Sequence, residues 1–310
     1  MNQTERLAYL KFEEENFIPF HQSLAVLESA CEGGSLLLIT HYEQGELVAI
    51  MPYFTKKKLT YTYITHPPMI KWMGPILSNN CIDKREAIAQ LLSKVPKVAY
   101  FEQNFSYEIS KEDLPIEWQA DYNKQFSYRI EGIRDLEKVF KGVYADYRNN
   151  KIKKAREILT ISHEGTIDEF ITVHHQSFSR QGIAFPVSKQ ALKRHIENLL
   201  EKKKATLMFA RDKEFNTHSV ALLAWDTQTA YLHMAGDDVN LRKSGSGIFT
   251  TWEAIRFASE KLGLNIFDFE GSMLTNVERV RKRFGAERKY YGKIKRYNSQ
   301  SFKLLQTLKK

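Results

Sequence analysis

One strand–turn–strand pattern occurs twice in this chain, and this repeat restricts the fold more than any other feature. Residues 35–54 read SLLLITHYEQGELVAIMPYF, two apolar runs on either side of a polar turn that contains Gly45. Residues 205–226 read ATLMFARDKEFNTHSVALLAWD, again two apolar runs, here around a turn that contains Asn216. Each pattern predicts a β-hairpin. Because the copies start 170 residues apart, the sequence predicts a duplicated unit.

The second half then alternates between strand and helix patterns. Its segments are AYLHMAGDDV at 230–239, the loop NLRKSGSG at 240–247, IFTTWEAIRFASEKLG at 248–263, LNIFDF at 264–269 and a basic segment at 277–284. Within the longest of them, Ile248, Trp252 and Ile255 recur at helical spacing, and Gly263 supplies a stop signal. The predicted order is strand, loop, helix, strand and helix.

The first half follows a different course after its hairpin. Helix-like segments precede both hairpins, at 23–30 and 188–203, but the first half continues with HPPMIKWMGPIL at 66–77. The three prolines of that segment argue against regular central strands. The whole pattern predicts an α/β fold with a mixed α+β sheet, divided into domains at 1–135 and 136–310.

Composition restricts the setting and the partners. The two cysteines, Cys31 and Cys81, lie far apart without disulfide or metal spacing, which predicts a reducing, cytoplasmic setting. No apolar run approaches the roughly 20 residues of a membrane span, so we expect no membrane insertion. The net charge of +9 favours anionic partners such as phosphorylated cofactors, nucleic acid or acidic membrane surfaces. Charge alone does not choose among them.

The hexapeptide RKSGSG lies between a predicted strand and a predicted long helix. Glycines permit close approach of a ligand to the backbone, and the first-turn N–H groups of the helix are unpaired, which together favour anion binding. The two cations would add charge-assisted contacts, and either serine would cap the helix or donate to a phosphate. The predicted binding residues are Arg242, Lys243, Ser244, Gly245, Ser246 and Gly247. The alternative is an ordinary turn before a capped helix.

Two carboxylates end the last predicted core strand. Alternation along IFDFE places Asp268 and Glu270 on one side of the strand, where either one is a candidate base for an acceptor amine. The alternative for Asp268 is a local turn or an ion pair with a buried arginine such as Arg279 or Arg283, and for Glu270 a partly exposed strand end. His233 is a further candidate base, or else a core histidine.

The sequence lacks the motifs that are typical of metal sites and of covalent catalysis. No CxxC, HExxH or other ligand-spaced cluster occurs, and the consecutive His174 and His175 would point about 100° apart on a helix. No GxSxG elbow is present. The sequence therefore predicts neither a metal site nor covalent catalysis.

Five segments resemble the tandem-GNAT proteins related to the FemAB peptidyltransferases, a group with bacterial members described as acetyltransferases. They are HPPMIKWMGPIL at 66–77, YRNNKIKKA at 147–155, RKSGSG at 242–247, FDFEGSM at 267–273 and RVRKRFGAE at 279–287. RKSGSG also resembles the R/Q-x-x-G-x-G/A loop whose backbone binds the pyrophosphate of acyl-CoA in GNAT acyltransferases. The resemblance implies two tandem GNAT-like domains, a degenerate N-terminal one and a C-terminal one with the cofactor loop.

The same resemblance implies an activity. It indicates acyl transfer from acyl-CoA, such as acetyl-CoA, to an amine of a small molecule or peptide by direct attack, with Glu270 as base or orienting group. Many GNAT enzymes protonate the leaving thiolate with a tyrosine, and here Arg281 takes that position. Tyr290 or Tyr291, beyond the helix, would be the substitute acid.

Two other functions stay open on the sequence. One is a FemAB-like aminoacyltransferase that uses charged tRNA to modify a peptidoglycan precursor, with basic segments at 148–156 and 279–283 holding phosphates. The chain lacks the long lysine-rich helical hairpin that several FemAB proteins use at the tRNA. The other is a catalytically silent GNAT-like binding protein, which the missing tyrosine favours.

Overall fold

A computed structural model describes residues 1–180, 182, 184–271 and 275–307, and its fold is mixed α/β. The strands are β1 Ser35–Glu43, β2 Glu46–Lys58, β3 Tyr61–Thr65, β4 Ile76–Leu77, β5 Tyr100–Asn104, β6 Asp121–Glu131, β7 Thr160–Ser162, β8 Ala205–Arg211, β9 Thr217–Trp225, β10 Thr229–Asp237, β11 Ile266–Asp268 and β12 Glu287–Tyr297. The α-helices are α1 Gln3–Glu15, α2 Leu24–Ala30, α3 Lys84–Ser93, α4 Leu136–Gly142, α5 Lys153–Ile158, α6 Ile167–Ser179, α7 Lys189–Glu201, α8 Ser246–Glu260, α9 Thr275–Arg283 and α10 Gln300–Thr307.

The chain divides into two compact units. The first unit comprises Met1–Gln125 and Tyr290–Lys310, and the second comprises Phe126–Lys289. The second unit thus begins ten residues before the predicted start at 136, and the C-terminal segment belongs to the first unit. The C-terminal segment belongs to the first unit because its strand β12 pairs with β5, from Lys293↔Asn104 to Tyr297↔Tyr100.

Both units contain a sheet with the same sequence of pairings. In the first unit β1, β2 and β3 are antiparallel neighbours, β3 and β5 are parallel, and β5 and β12 are antiparallel. In the second unit β8, β9 and β10 are antiparallel neighbours, β10 and β11 are parallel, and β11 and β6 are antiparallel. A parallel pair needs a crossover, which α3 and α8 supply. The predicted duplication and mixed sheet are confirmed.

Local sequence accounts for these elements. Gln44 and Gly45 both take left-handed backbone angles, φ 51° and 89°, which is the two-residue turn that suits the twist of a hairpin. In α8 the predicted apolar face is buried, with Trp252 4% and Ile255 0% exposed. Gly263 at φ 65° follows the end of that helix, as the stop signal predicts.

The core of the second unit lies between its sheet and α8. Burial of one large apolar side chain of this kind stabilises a fold by roughly 1.5–3 kcal/mol, and this cluster combines Trp252 and Ile255 of α8 with Phe267, Phe269 and Phe284. Residues 147–152, which overlap the basic segment at 148–156, form a π-helical turn that continues into α5. Turns of this type are rare and are frequent at functional sites.

Among the described residues, no helix is both long and apolar enough to cross a membrane.

Candidate functional site

The parallel strands of the second unit separate towards one end. Pairing between β10 and β11 runs from Thr229↔Ile266 to Tyr231↔Asp268, while β10 continues to Asp237. Strand β10 also contains a bulge between Leu232 and Met234. A bulge adds an unpaired residue and redirects its side chain, so His233 departs from simple alternation with Tyr231.

The glycine loop leads into α8 at this end. Gly245 takes a left-handed φ of 80°, and α8 begins at Ser246. The N–H groups of Ser246 and Gly247 have no hydrogen-bond acceptor within the described part of the chain. Unpaired first-turn N–H groups attract anions. These two N–H groups are the backbone donors that an anion at this loop would meet.

The loop side chains are used differently from the prediction. Ser244 Oγ lies 3.0 Å from His218 Nδ1, and Ser246 Oγ donates to the His218 carbonyl at 3.3 Å. Neither serine caps α8. Lys243 is exposed on the loop. Both hydroxyls hold the loop against β9, so phosphate contacts would come from the backbone and Arg242.

The two glycines of the loop are needed for different reasons, Gly245 for its left-handed φ of 80° and Gly247 for close packing. A Cβ on Gly245 would lie 3.4 Å from Lys151 Cα, and a Cβ on Gly247 would lie 2.5 Å from Asp237 Oδ1. A contact of 2.5 Å is shorter than van der Waals packing permits. The first turn of α8 is therefore in close contact with the carboxylate that ends β10.

A cavity of about 600 Å³ lies beside this loop in the second unit. Among the described residues, its charged lining consists of six cations against two carboxylates, namely Lys151, Arg180, Arg242, Arg279, Arg281 and Arg283 against Asp146 and Asp237. Gly245 and Gly247 also line it. A low-dielectric wall with one dominant sign of charge concentrates ions of the opposite sign. The cavity therefore suits a polyanion.

Arg281 connects this cavity to the end of β11. Its guanidinium Cζ lies 4.9 Å from the Phe269 ring centroid, and its buried Nε has no hydrogen-bond partner among the residues described. Burial lowers the pKa of Arg281 to about 10, and the carboxylates of Glu270 and Asp268 act in the opposite direction. Arg281 is therefore cationic at neutral pH and available to a ligand.

Asp268 is fully buried at the end of β11 and fixed from three sides. Its Oδ1 accepts the Ser127 hydroxyl at 2.7 Å and the Glu270 backbone N–H at 2.7 Å, and its Oδ2 accepts Arg129 Nε–H at 2.9 Å. The buried arginine partner is thus Arg129, a cross-strand neighbour in β6, rather than Arg279 or Arg283. Asp268 orders the backbone that follows it.

The strand does not continue to Glu270 as the alternation predicts. Glu270 has φ 53° and Gly271 has φ 38°, both in the left-handed region. A Cβ on Gly271 would lie 2.6 Å from Ser127 Cα. A non-glycine residue held in this region costs on the order of 1 kcal/mol and often marks a functional site. The turn points Glu270 to a partner that strand geometry does not predict.

That partner is His233. Its Nδ1–H donates to Glu270 Oε1 at 2.9 Å, and its Nε2 lies 3.1 Å from Nε2 of His195. Of the two facing Nε2 atoms, one donates the proton that the other accepts. The side chains of His233 and Glu270 are 2% and 12% exposed, and His195 is fully buried. The three groups form a continuous hydrogen-bonded chain.

Sequence reasoning named Glu270 and His233 but missed His195 and Asp237. His195 lies on the apolar face of α7 with Leu192 and Leu199, so helical spacing could predict that it is buried. The same spacing could not predict its hydrogen-bond partner. Asp237 follows Gly236 near the end of a predicted strand, where an acidic residue is common and does not by itself indicate a functional site.

Tyr291, the predicted substitute acid, belongs to the first unit and is 4% exposed. Its ring packs edge-on to Trp72 and Tyr107, with centroid distances of 6.0 and 6.1 Å, and Lys71 Nζ lies 5.5 Å from its centroid. Tyr290 is 43% exposed beside Lys124. Tyr291 is therefore part of an aromatic cluster.

One family model matches part of the chain. Residues 145–283 match the model of the acetyltransferase (GNAT) domain, a range that contains the glycine loop, α8, His195, His233 and Glu270. The sequence has no match among curated proteins.

Solved structures of low sequence identity share the fold over nearly the whole chain. The crystal structure of FemX is 13% identical with a TM-score of 0.73, covering 98% of both chains. A tandem GNAT protein from the clavulanic acid biosynthesis pathway is 6% identical with a TM-score of 0.54, covering 95% of this chain and 94% of the other. L-PGS from Bacillus licheniformis is 10% identical with a TM-score of 0.55, covering 96% and 92%. Residues 145–283 thus match a GNAT acetyltransferase domain, and with its repeated sheet pattern the whole chain has the fold of these solved structures.

Proposed function

We propose that this protein transfers an acyl group from acyl-CoA, such as acetyl-CoA, to an amine of a small molecule or peptide by direct attack. The observation that carries the proposal is the hydrogen-bonded chain Glu270–His233–His195 at the open end of β10, joined through Arg281 to a cationic cavity. A proton acceptor and an anion site next to one another are what this two-substrate reaction requires.

The cavity is the proposed donor site. Arg242 and the first-turn N–H of Gly247 would hold the pyrophosphate of the donor, with Arg279 and Arg283 available to its other phosphate. The buried, unpartnered Nε of Arg281 supports this assignment, because a buried donor without an acceptor within the described chain calls for a ligand.

Glu270 is the proposed base. The acceptor ammonium must lose a proton before its nitrogen attacks the thioester carbonyl, and the Glu270 carboxylate takes that proton directly or through water. His233 fixes the carboxylate through Nδ1–H, and His195 fixes the His233 ring. Asp268 acts through the backbone of Glu270 and is a positioning residue.

Arg281 would act on the leaving group. When the new C–N bond forms and the C–S bond breaks, negative charge collects on sulfur. Arg281 stands at the sequence position of the tyrosine that serves many GNAT enzymes, and its fixed positive charge would stabilise that thiolate before solvent protonates it.

Ligand binding tests the donor assignment first. Acetyl-CoA and CoA should raise the unfolding midpoint of the protein saturably. Arg242→Gln should weaken that effect, while Lys243→Gln, an exposed cation of the same loop, should leave it nearly unchanged. An acceptor screen would follow, in which Glu270→Gln should lose turnover and Glu260→Gln, a surface carboxylate on α8, should not. No shift at millimolar acyl-CoA would end this proposal and leave either tRNA-dependent transfer or a silent binding protein.

A second candidate is aminoacyl transfer from charged tRNA. The basic side chains of α9 favour it, because Arg279, Lys282 and Arg283 line a further groove on the same helix. Binding of a nucleic acid there should weaken with salt at a logarithmic slope of about 0.7 to 0.9 per phosphate contacted. Tight, salt-sensitive tRNA binding together with no response to acyl-CoA would favour this candidate.

A further inference from the structure

One carboxylate stands where a phosphate of the donor would bind. Asp237 ends β10 and lines the cationic cavity, and its Oδ1 is buried with no hydrogen-bond partner in the part of the chain described. The carboxylate lies against Gly247, on which a Cβ would approach Oδ1 to 2.5 Å. A buried acceptor without a donor is costly and calls for an explanation.

The charges around Asp237 come from two other segments. Burial raises the pKa of Asp237, whereas the cations Arg242 of the glycine loop and Arg180 beyond α6 act to lower it. On α6 the neighbouring group is the Ser177 hydroxyl, which accepts the Asp237 backbone N–H. The carboxylate thus faces two arginines and the positive end of α8, and two of these groups, Arg242 and the first turn of α8, are assigned above to the donor pyrophosphate.

Two anions cannot occupy that position without repulsion. A phosphate at the first turn of α8 would meet the Asp237 carboxylate at close range in a partly buried cavity, where Coulomb repulsion is weakly screened. A ligand that also brings an N–H group to Oδ1 would satisfy the unpaired acceptor and offset this repulsion. A simple polyphosphate brings no such group.

We propose that Asp237 is a specificity-determining residue that excludes simple polyphosphates and admits ligands carrying both phosphate and an N–H donor. This inference rests on the proposed donor site. Both the amide N–H groups of CoA and the ammonium of an aminoacyl ester have the required chemistry, so the inference holds for either donor.

Calorimetric titration of the full-length protein with inorganic pyrophosphate and with CoA tests it. Asp237→Asn keeps the shape and removes the charge, and it should tighten pyrophosphate binding about tenfold or more, equivalent to ~1.4 kcal/mol. CoA affinity should change less, so the preference for CoA over pyrophosphate should fall. Asp146→Asn removes a carboxylate from the exposed rim of the same cavity and should have little effect on that preference.

Different results would contradict the role of Asp237 and the proposed donor site. An unchanged preference in Asp237→Asn, or an equal change in Asp146→Asn, overturns the role of Asp237. Binding of CoA that is unaffected by Arg242→Gln overturns the donor site itself. Failure of Asp237→Asn to bind pyrophosphate at millimolar concentration also overturns the inference. If Asp237→Asn does not fold, the preference for CoA over pyrophosphate is measured in Asp237→Ala instead.

Discussion

The buried ion pair at the end of β11 gives the sharpest test of how this site is held. Asp268 is 0% exposed and Arg129 14% exposed at side-chain level, with 2.9 Å between Oδ2 and Nε. Asp268→Asn leaves the Arg129 charge without its counter-ion and points an amide N–H₂ either at the guanidinium or at the Glu270 N–H. Removing one partner of a buried ion pair costs ~3–5 kcal/mol of stability. Because Arg129 is partly exposed, we expect Asp268→Asn to cost ~3 kcal/mol, the lower end of that range.

Urea unfolding at pH 7 measures this loss directly. For a unit of this size, ~3 kcal/mol also corresponds to a fall in Tm of roughly 6–12 °C. The double variant Asp268→Asn, Arg129→Met closes a thermodynamic cycle, and its cost should be clearly less than the sum of the two single costs. A loss below about 1 kcal/mol for Asp268→Asn, or additive costs, would refute the reasoning that this pair fixes the turn at Glu270.

Three further predictions concern the same region. Gly271→Ala should destabilise the protein by about 1–3 kcal/mol in urea unfolding, because its Cβ would lie 2.6 Å from Ser127 Cα at a left-handed φ; a neutral effect would show that the turn can relax. Because the pKa of Asp237 is raised in the folded state, the contribution of Asp237 to stability should fall as pH rises from about 4 through that pKa, so the stability of the wild type relative to Asp237→Asn should fall over that range; parallel pH profiles of the two proteins would contradict it. Once an acceptor is identified, Arg281→Met should lower kcat about a hundredfold and also raise the KM for the donor, whereas Arg256→Met on the surface of α8 should do neither; an effect on KM alone would contradict a role of Arg281 at the leaving group.

Patterns within short segments determined the larger part of the fold. Each hairpin could be predicted because strand alternation and turn residues lie within about 20 residues of one another. Helix α8 and its end at Gly263 follow from helical spacing and a single stop residue. The glycine loop was found for the same reason, since the pattern that predicts anion binding there is one of local backbone geometry.

The tertiary structure decided the chemistry of the site. Ion pairing joins Arg129 to Asp268 across 139 residues, and His195 meets His233 across 38, so no local pattern encodes either contact. The left-handed backbone at Glu270 breaks the strand alternation on which the prediction of a face shared with Asp268 depended, and the bulge at His233 breaks the alternation of β10. By itself the sequence determined which segments form strands, helices and the glycine loop, because those depend on neighbouring residues. Which carboxylate is buried in an ion pair and which one meets a histidine depends on contacts that form only when the sheet assembles.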